Sequence, residues 1–110
     1  MKKRALITIS VILLVITFSV FIKIMKCQEV SEDFAKCIGE RAVLYVQLGC
    51  HACEIQEKIF GKNYKFITKI DCFLENEKCT NIIYTPTWVI GGEKYVGVQS
   101  EEKLKELTGC

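Results

Sequence analysis

The stretch AVLYVQLGCHACEIQEKIF, residues 42–60, contains the features that decide the fold. Residues 42–48 are mostly apolar and predict a buried central strand, whereas residues 54–60 carry apolar side chains at helical spacing. Cys50 and Cys53 lie at the junction between the two. Because the first turn of a helix has free N–H groups and the positive end of the helix dipole, this position favours a thiolate. The pair is therefore predicted to be a reactive dithiol and not only a structural disulfide.

The spacing also assigns roles within this motif. Cys50 precedes the helix and is the predicted nucleophile, and Cys53, one turn further on, is the predicted resolving thiol. His51, the only histidine, either tunes this chemistry or is a solvated loop residue. A protonated His51 would favour the thiolate, and a neutral one could carry a proton.

The N-terminal segment is the second distinctive feature. Residues 5–22 are eighteen uncharged residues, and Lys2, Lys3 and Arg4 precede them. The apolar run is longer than the core of a cleaved signal peptide, and no small-residue cleavage site follows it, so an uncleaved membrane anchor is favoured. The basic flank predicts a single-pass protein of the cell membrane, with a cytoplasmic N-terminus and an extracytoplasmic domain. We expect residues 1–27 to be the flank and anchor, and residues 28–110 to be one folded domain.

The charge distribution argues against nucleic acid as a partner of the domain. Residues 1–27 contain five basic residues and no acidic residue, so residues 28–110 hold 10 basic and 13 acidic residues, a net charge of −3. A mildly acidic domain without a basic patch does not favour nucleic-acid binding.

Turn signals and hydrophobic periodicity predict the order α-β-α-β-α-β-β-α in the domain. Ser31 and Ser100 are predicted helix N-caps, and Gly39 is predicted to end the first helix of the domain. In the second of these helices, Ala52, Ile55, Ile59 and Phe60 are expected to form the buried face. The result would be a compact α/β sheet covered on both faces. The predicted helices cover 31–38, 54–60, 75–83 and 100–107, and the predicted strands cover 42–48, 64–72, 87–90 and 94–98.

The chain has seven cysteines, and their pairing has to be argued from position. Outside the membrane, disulfides are expected. Cys37 in the first domain helix and Cys110 at the end of the last helix are predicted to pair. Cys72 and Cys79 flank a loop short enough for a local disulfide, with a second redox pair or metal ligation as the alternatives, although their spacing is unusual for zinc. Cys27, beside the membrane, is the odd residue, and an unmodified thiol is favoured over acylation or intermolecular pairing.

The segment before the third strand carries the only proline, Pro86. The residues alone leave two possibilities for the peptide bond before Pro86. It is either trans, the commoner form, with Pro86 beginning the strand, or cis at a tight turn. A cis turn beside Cys50 would leave the Thr85 backbone free to pair with a substrate strand.

Cys50-x-x-Cys53 after a strand, followed by Thr85-Pro86-Thr87-Trp88 and the Gly91-Gly92 hairpin, resembles the thioredoxin family. The segments 84–90 and 97–100 are similar to the thioredoxin-like domain that is fused to, or works with, bacterial vitamin K epoxide reductase homologues. The resemblance covers about residues 34–110. It implies a thioredoxin-like fold, with a central four-stranded mixed sheet flanked by helices. No cofactor and no bound metal are expected. It also implies a cis Pro86, a Cys50 nucleophile, a resolving Cys53 and a second pair formed by Cys72 and Cys79.

Three positions depart from the family pattern. Gly49 stands where tryptophan is frequent, Leu44 stands where the family has a buried acid, and Ala52 stands where related oxidative motifs have histidine. The loss of the acid removes a proton acceptor for Cys53, so fast reductase turnover is not expected.

The sequence therefore predicts a membrane-anchored, extracytoplasmic thiol–disulfide oxidoreductase acting on protein thiols and disulfides. Its expected partner is a vitamin K epoxide reductase-like oxidase, which would make it a donor of disulfides in oxidative folding. A thiol-transferring membrane reductase would instead make it a reductant. A zinc- or copper-binding module and a non-catalytic adaptor are the alternatives from other classes.

Overall fold

The computed structural model describes residues 1–25 and 29–110. Helix α1, Lys2–Met25, has 24 residues and no buried side chain. By length and composition it suits either a membrane span or a signal sequence near the N-terminus.

In residues 29–110, four strands and three further helices follow α1. The strands are β1 Ala42–Val46, β2 Lys69–Asp71, β3 Thr87–Ile90 and β4 Glu93–Val96, and the helices are α2 Glu32–Arg41, α3 His51–Phe60 and α4 Glu101–Thr108. Two 3-10 segments complete the chain, Gly61–Phe66 after α3 and Asn76–Cys79 after β2.

The helix ends of α2 and α4 follow from their capping residues. The Ser31 hydroxyl accepts a hydrogen bond from the Phe34 N–H, and the Ser100 hydroxyl accepts one from the Lys103 N–H. Gly109 ends α4 in the left-handed conformation, with φ of 72°. These N-caps agree with the sequence prediction.

The strands form one mixed sheet in the order β2-β1-β3-β4. Strand β1 pairs in parallel with β2 and antiparallel with β3, and β3 pairs antiparallel with β4. Leu44 is opposite Lys69 on one side and Trp88 on the other. The predicted four-stranded mixed sheet flanked by helices is confirmed, and the central strand is the one that leads to Cys50.

The hydrophobic core lies on one face of this sheet. Its sheet residues are Ala42, Leu44, Trp88 and Ile90, which the register places on the same face. Helices α2, α3 and α4 all contribute to the same cluster, through Phe34, Ala35, Ile38, Phe60 and Leu104. Val43, Tyr45 and Val89 point to the opposite face and are only half-buried. The α-helices of residues 29–110 therefore pack against one face of the sheet, and helices do not cover both faces as expected.

Two predicted elements are shorter than expected. The strand expected over 64–72 is reduced to Lys69–Asp71, because the Tyr64 ring packs near the Phe60 ring, at 6.4 Å between centroids, within a 3-10 segment. The helix expected over 75–83 is only the 3-10 turn Asn76–Cys79, which ends at the Cys72–Cys79 disulfide.

Gly39 does not end α2 but lies inside it. A Cβ atom at this position would collide with the carbonyl oxygen of Phe66 in the 3-10 segment, and the Gly39 carbonyl accepts a 2.6 Å hydrogen bond from the Thr68 hydroxyl. The glycine thus permits a close backbone approach and is not a helix stop.

Candidate functional site

The site begins where the chain leaves the central strand. After β1 the chain turns through residues 47–49, and the Cys50 N–H donates to the Gln47 carbonyl at 3.1 Å. Gly49 has φ of 81°, a conformation that side-chain-bearing residues rarely adopt. The backbone conformation of this turn therefore explains why glycine stands at the position where tryptophan is frequent. The turn delivers Cys50 to the N-cap of α3.

Cys50 and Cys53 form a disulfide at this N-cap, with a Cα–Cα distance of 5.2 Å. The Cys53 N–H points at the Cys50 sulfur, at 3.1 Å. Cys50 is half-buried, whereas Cys53 is 6% exposed. An incoming sulfur can therefore reach Cys50 more readily than Cys53, and a helix N–H is already placed to stabilise negative charge on Cys50.

Thr85 and Pro86 lie directly against this disulfide. The Thr85–Pro86 peptide bond is cis, and the Thr85 carbonyl oxygen is 3.5 Å from the Cys50 sulfur. The Pro86 carbonyl accepts from the Gly97 N–H at 2.8 Å, and the Thr87 hydroxyl donates to the Tyr84 carbonyl at 2.6 Å. Within residues 29–110, no backbone hydrogen bond uses the N–H or the carbonyl of Thr85. Neighbouring groups thus hold the segment in place while the Thr85 backbone stays available.

His51 is the most solvated member of the motif. Its side chain is 84% exposed, and its Nδ1 is 3.7 Å from a carboxylate oxygen of Glu54 on the same helix. An exposed pair at this distance is strongly screened by water and salt. The structure therefore places His51 beside the disulfide but on the solvent side.

Gln56 is a site-supporting residue that the sequence pattern missed. Its side chain is completely buried, with Oε1 accepting from Trp88 Nε1 at 3.0 Å and from the Gln99 N–H at 2.7 Å. Its Nε2 donates to the Gln99 carbonyl at 3.1 Å. The buried face of α3 is consequently formed by Cys53, Gln56 and Phe60, and the prediction that Ile55 is buried was wrong, since it is 40% exposed. The only sequence signal for the role of Gln56 is its position three residues after Cys53, which is helical spacing.

A cavity of about 490 Å³ opens beside the disulfide and is lined by both cysteines and by four carboxylate residues. Partial burial, with further repulsion from the carboxylates of Glu57 and Asp71, raises the pKa of Tyr64 to about 12. Lys69 also lines this cavity, and its Nζ donates to the carbonyls of Tyr64 and Ile67 at 3.1 and 3.2 Å. The sequence pattern did not identify this cavity, because its lining comes from four separate segments. The carboxylate residues are Glu54, Glu57, Asp71 and Glu75.

The remaining cysteines of the described segments form two further disulfides. Cys37 bonds to Cys110 with a Cα–Cα distance of 6.0 Å, and Cys72 bonds to Cys79 with a distance of 5.6 Å. Cys27 lies outside the described residues. Across residues 1–25 and 29–110, no group of three or more His, Cys, Asp or Glu side chains is arranged to hold a metal ion.

No protein-family model matches the sequence. Among solved structures, the chain is similar to a thioredoxin-like protein crystallised as a point mutant. The two are 29% identical, the match covers 61% of this chain and 97% of the other, and the TM-score is 0.44. The oxidised thioredoxin of Plasmodium falciparum, determined in solution, is 20% identical over 73% of this chain and 90% of its own, also with a TM-score of 0.44.

The topology itself identifies the fold. A parallel β1-α3-β2 unit is followed by an antiparallel β3-β4 hairpin and a final helix, with the Cys-x-x-Cys disulfide at the start of α3 and the cis proline before β3. The chain has a thioredoxin-like α/β fold. In this fold the two halves of the site, far apart in sequence, meet at one end of the central strand.

Proposed function

We propose that the protein is a membrane-anchored, extracytoplasmic thiol–disulfide oxidoreductase that exchanges disulfides through Cys50 and Cys53. The observation that carries this proposal is the placement of the Cys50 sulfur. It caps α3, faces the Cys53 N–H at 3.1 Å, and lies 3.5 Å from the unpaired carbonyl of Thr85. A nucleophilic or leaving sulfur needs access and stabilisation of its thiolate, and both are present here.

In the oxidising direction, a substrate thiolate attacks the Cys50 sulfur. A substrate–Cys50 disulfide forms, the Cys50–Cys53 bond breaks, and Cys53 leaves with the electron pair as a thiolate or, after protonation, a thiol. A second substrate thiolate then attacks the substrate sulfur of this mixed disulfide and displaces the Cys50 thiolate, which the N-terminus of α3 stabilises. The substrate gains a disulfide, and the protein is left as the dithiol.

Thr85 and Pro86 have a positioning role in this proposal. The free N–H and carbonyl of Thr85 pair with the backbone of an extended substrate segment, which holds the substrate sulfur in line with the Cys50–Cys53 bond. His51 supplies at most a screened charge at the solvent side of the same bond.

Leu44 affects how fast Cys53 can exchange its proton. In the reducing direction, Cys53 must lose its proton before it can attack the mixed disulfide. Leu44, in the position where the resemblance expects a buried acid, is a completely buried apolar residue and cannot accept that proton. The lack of a proton acceptor at this position slows both directions, so the direction is argued from the expected extracytoplasmic location, which is oxidising. On that ground we propose a donor of disulfides, reoxidised by a vitamin K epoxide reductase-like membrane partner. A reductant supplied by a thiol-transferring membrane reductase is the alternative.

In this proposal, the membrane anchor determines where the exchange takes place. Helix α1, with Lys2, Lys3 and Arg4 at its start, would hold the domain on the extracytoplasmic face of the cell membrane, with the N-terminus in the cytoplasm. Tethering would raise the effective concentration of the disulfide near a membrane partner.

The test is to trap partners with Cys53→Ala, which removes the resolving sulfur and leaves Cys50 free. The Cys50 thiolate of this variant attacks a disulfide of a substrate or of the membrane partner, and the second sulfur of that disulfide leaves as a thiolate. We expect the resulting mixed disulfides to persist without Cys53 and to disappear on reduction, with none from the matched Cys50→Ala, Cys53→Ala double variant. The wild-type pair should be mostly oxidised in cells, and a mostly reduced pair would favour the reductant. Full cellular function in Cys50→Ser would contradict the enzyme and support an adaptor. Zinc or copper binding needs free thiolates, so stoichiometric metal with no exchange activity would favour a metal-binding module.

A further inference from the structure

The buried sulfur of the Cys50–Cys53 disulfide needs a route for its proton. Cys53 is 6% exposed, and the completely buried Leu44 cannot take a proton on the core side. A thiol must lose its proton before its sulfur attacks, and a leaving thiolate regains one. Cys53 also lines the cavity of about 490 Å³ beside the disulfide, which has room for several water molecules. The proton can therefore leave Cys53 toward this cavity.

The four carboxylates that line this cavity differ in what they contact. Glu54 faces the exposed imidazole of His51, at 3.7 Å from its Nδ1. The Asp71 carboxylate accepts a backbone N–H of the following loop at 2.9 Å, and Glu75 is paired with a lysine ammonium three residues further on. Within residues 29–110, the Glu57 side chain takes part in no ion pair and no hydrogen bond. Glu57 is therefore the carboxylate of the cavity that is free to accept a proton.

Glu57 also lies on the same side of α3 as Cys53. It follows Cys53 by four residues, and both side chains line the cavity. Residues at this helical spacing have Cβ atoms about 5–6 Å apart, so one water molecule can bridge the thiol and the carboxylate. Because Glu57 is exposed as well, it exchanges protons directly with bulk water. It thus connects a buried sulfur with solvent.

The charge of Glu57 acts on groups across the cavity. Burial lowers the pKa of Lys69, and the carboxylate of Glu57 opposes this shift. Burial raises the pKa of Tyr64 to about 12, with smaller contributions from Glu57 and then Asp71, so Tyr64 stays protonated near neutral pH. Lys69 is thus the cation facing Glu57, and the remaining charged groups that line the cavity are Glu54, Asp71 and Glu75. The Glu57 carboxylate therefore influences the interior of the cavity although it is exposed.

We propose that Glu57 takes the proton from Cys53 and returns it, acting through water in the cavity. This role deepens the proposed exchange function and rests on it. In the reducing direction, the proton of the Cys53 thiol passes through water to the Glu57 carboxylate, and the Cys53 thiolate attacks the Cys50 sulfur of the mixed disulfide. The Cys50–Cys53 bond forms, the bond to the substrate sulfur breaks, and the substrate leaves as a thiolate. In the oxidising direction, Cys53 leaves as a thiolate and receives a proton from solvent by way of Glu57.

The test isolates the step at Cys53, using the full chain with Cys27→Ser in detergent micelles. The protein is reduced at Cys50 and Cys53, with thiol counting to confirm that the other two disulfides are intact. It is then mixed rapidly with excess dithiobis-nitrobenzoate. The Cys50 thiolate attacks this aromatic disulfide and releases one coloured thiolate, and attack by Cys53 on the Cys50 sulfur releases the second. The second phase is intramolecular, so its rate does not depend on the reagent concentration.

Glu57→Gln should slow this second phase about tenfold near pH 7, at the low end of general-base effects because water relays the proton. The loss should shrink to less than about threefold near pH 10, where hydroxide in the cavity takes the proton directly. Glu57→Asp keeps a carboxylate and should recover most of the rate. Glu75→Gln removes the same charge from the cavity wall and is the matched control, with less than a twofold change at either pH. The first phase should change less than twofold in all three variants.

Several results would overturn the role of Glu57. An unchanged second phase in Glu57→Gln would show that Cys53 exchanges its proton elsewhere. An equal loss at every pH, or the same loss in Glu75→Gln, would assign the effect to folding or to charge alone. If the wild type shows a second phase that Glu57→Gln does not slow, only this role fails. If the wild type releases the first thiolate and shows no intramolecular second phase, Cys53 does not resolve and the proposed exchange function fails.

Discussion

Replacing the buried Gln56 by leucine tests what holds the helix of the disulfide on the sheet. Gln56 connects α3 to β3 through Trp88 Nε1 and to the segment before α4 through both backbone groups of Gln99. Leucine is similar in volume, so the substitution removes the hydrogen bonds and leaves little empty space. It also leaves the Trp88 indole N–H in the core without its partner.

The expected cost follows from these contacts. Three hydrogen bonds are lost, each worth about 1 kcal/mol net. The buried N–H groups of Trp88 and Gln99, left without an acceptor, add to this cost. Burial of leucine, which is more apolar than glutamine, lowers the cost by a similar amount. We therefore expect the free energy of unfolding to fall by about 3 kcal/mol. For a domain of this size that corresponds to a Tm lower by about 12–24 °C.

Trp88, the only tryptophan, reports directly on this site. Its fluorescence during denaturant titration of the oxidised protein in micelles measures the change. Lys58→Leu, at an exposed position of the same helix, should change stability by less than about 0.5 kcal/mol. Combining Gln56→Leu with Trp88→Phe, which removes the orphaned donor, should cost about 1 kcal/mol less than the sum of the single changes. Circular dichroism follows the denaturant titrations of this cycle, because the Trp88→Phe variants contain no tryptophan. A loss below 1 kcal/mol for Gln56→Leu would refute the reasoning.

Three further outcomes can be measured on the same protein. Gly39→Ala should destabilise the domain by about 1–3 kcal/mol in denaturant titrations, because its Cβ meets the Phe66 carbonyl; a gain in stability, as at an exposed helical glycine, would contradict this. Cys37→Ser with Cys110→Ser opens a loop with a sequence separation of 73 and should lower the free energy of unfolding by about 4 kcal/mol, with the fold retained by circular dichroism. Tyr64 should ionise near pH 12 in an ultraviolet pH titration, with Tyr64→Phe removing this step. Because the unfolded state releases this proton near pH 10 and the folded state keeps it, the contribution of Tyr64 to stability should fall between pH 10 and 12.

Most of the local structure was readable from the sequence, because its signals are short-range. The capping serines, the apolar strand 42–48 and the Gly-Gly hairpin each depend on neighbouring residues, and the structure has an element at each place. The predicted strand over 64–72 and helix over 75–83 were less accurate, since aromatic packing at Tyr64 and the disulfide at Cys79 override local preference there.

The sequence by itself determined that a dithiol stands at a strand-to-helix junction beside a long apolar segment, because residue order alone specifies both. Only the tertiary structure decided what surrounds that dithiol. It brought the Thr85 carbonyl to 3.5 Å from Cys50 and buried Gln56 against Trp88. These contacts join residues more than thirty positions apart, and no periodicity within one segment encodes them. The sheet order brings these parts together, since the end of β2 and the start of β3 both lie beside the end of β1 that leads to Cys50.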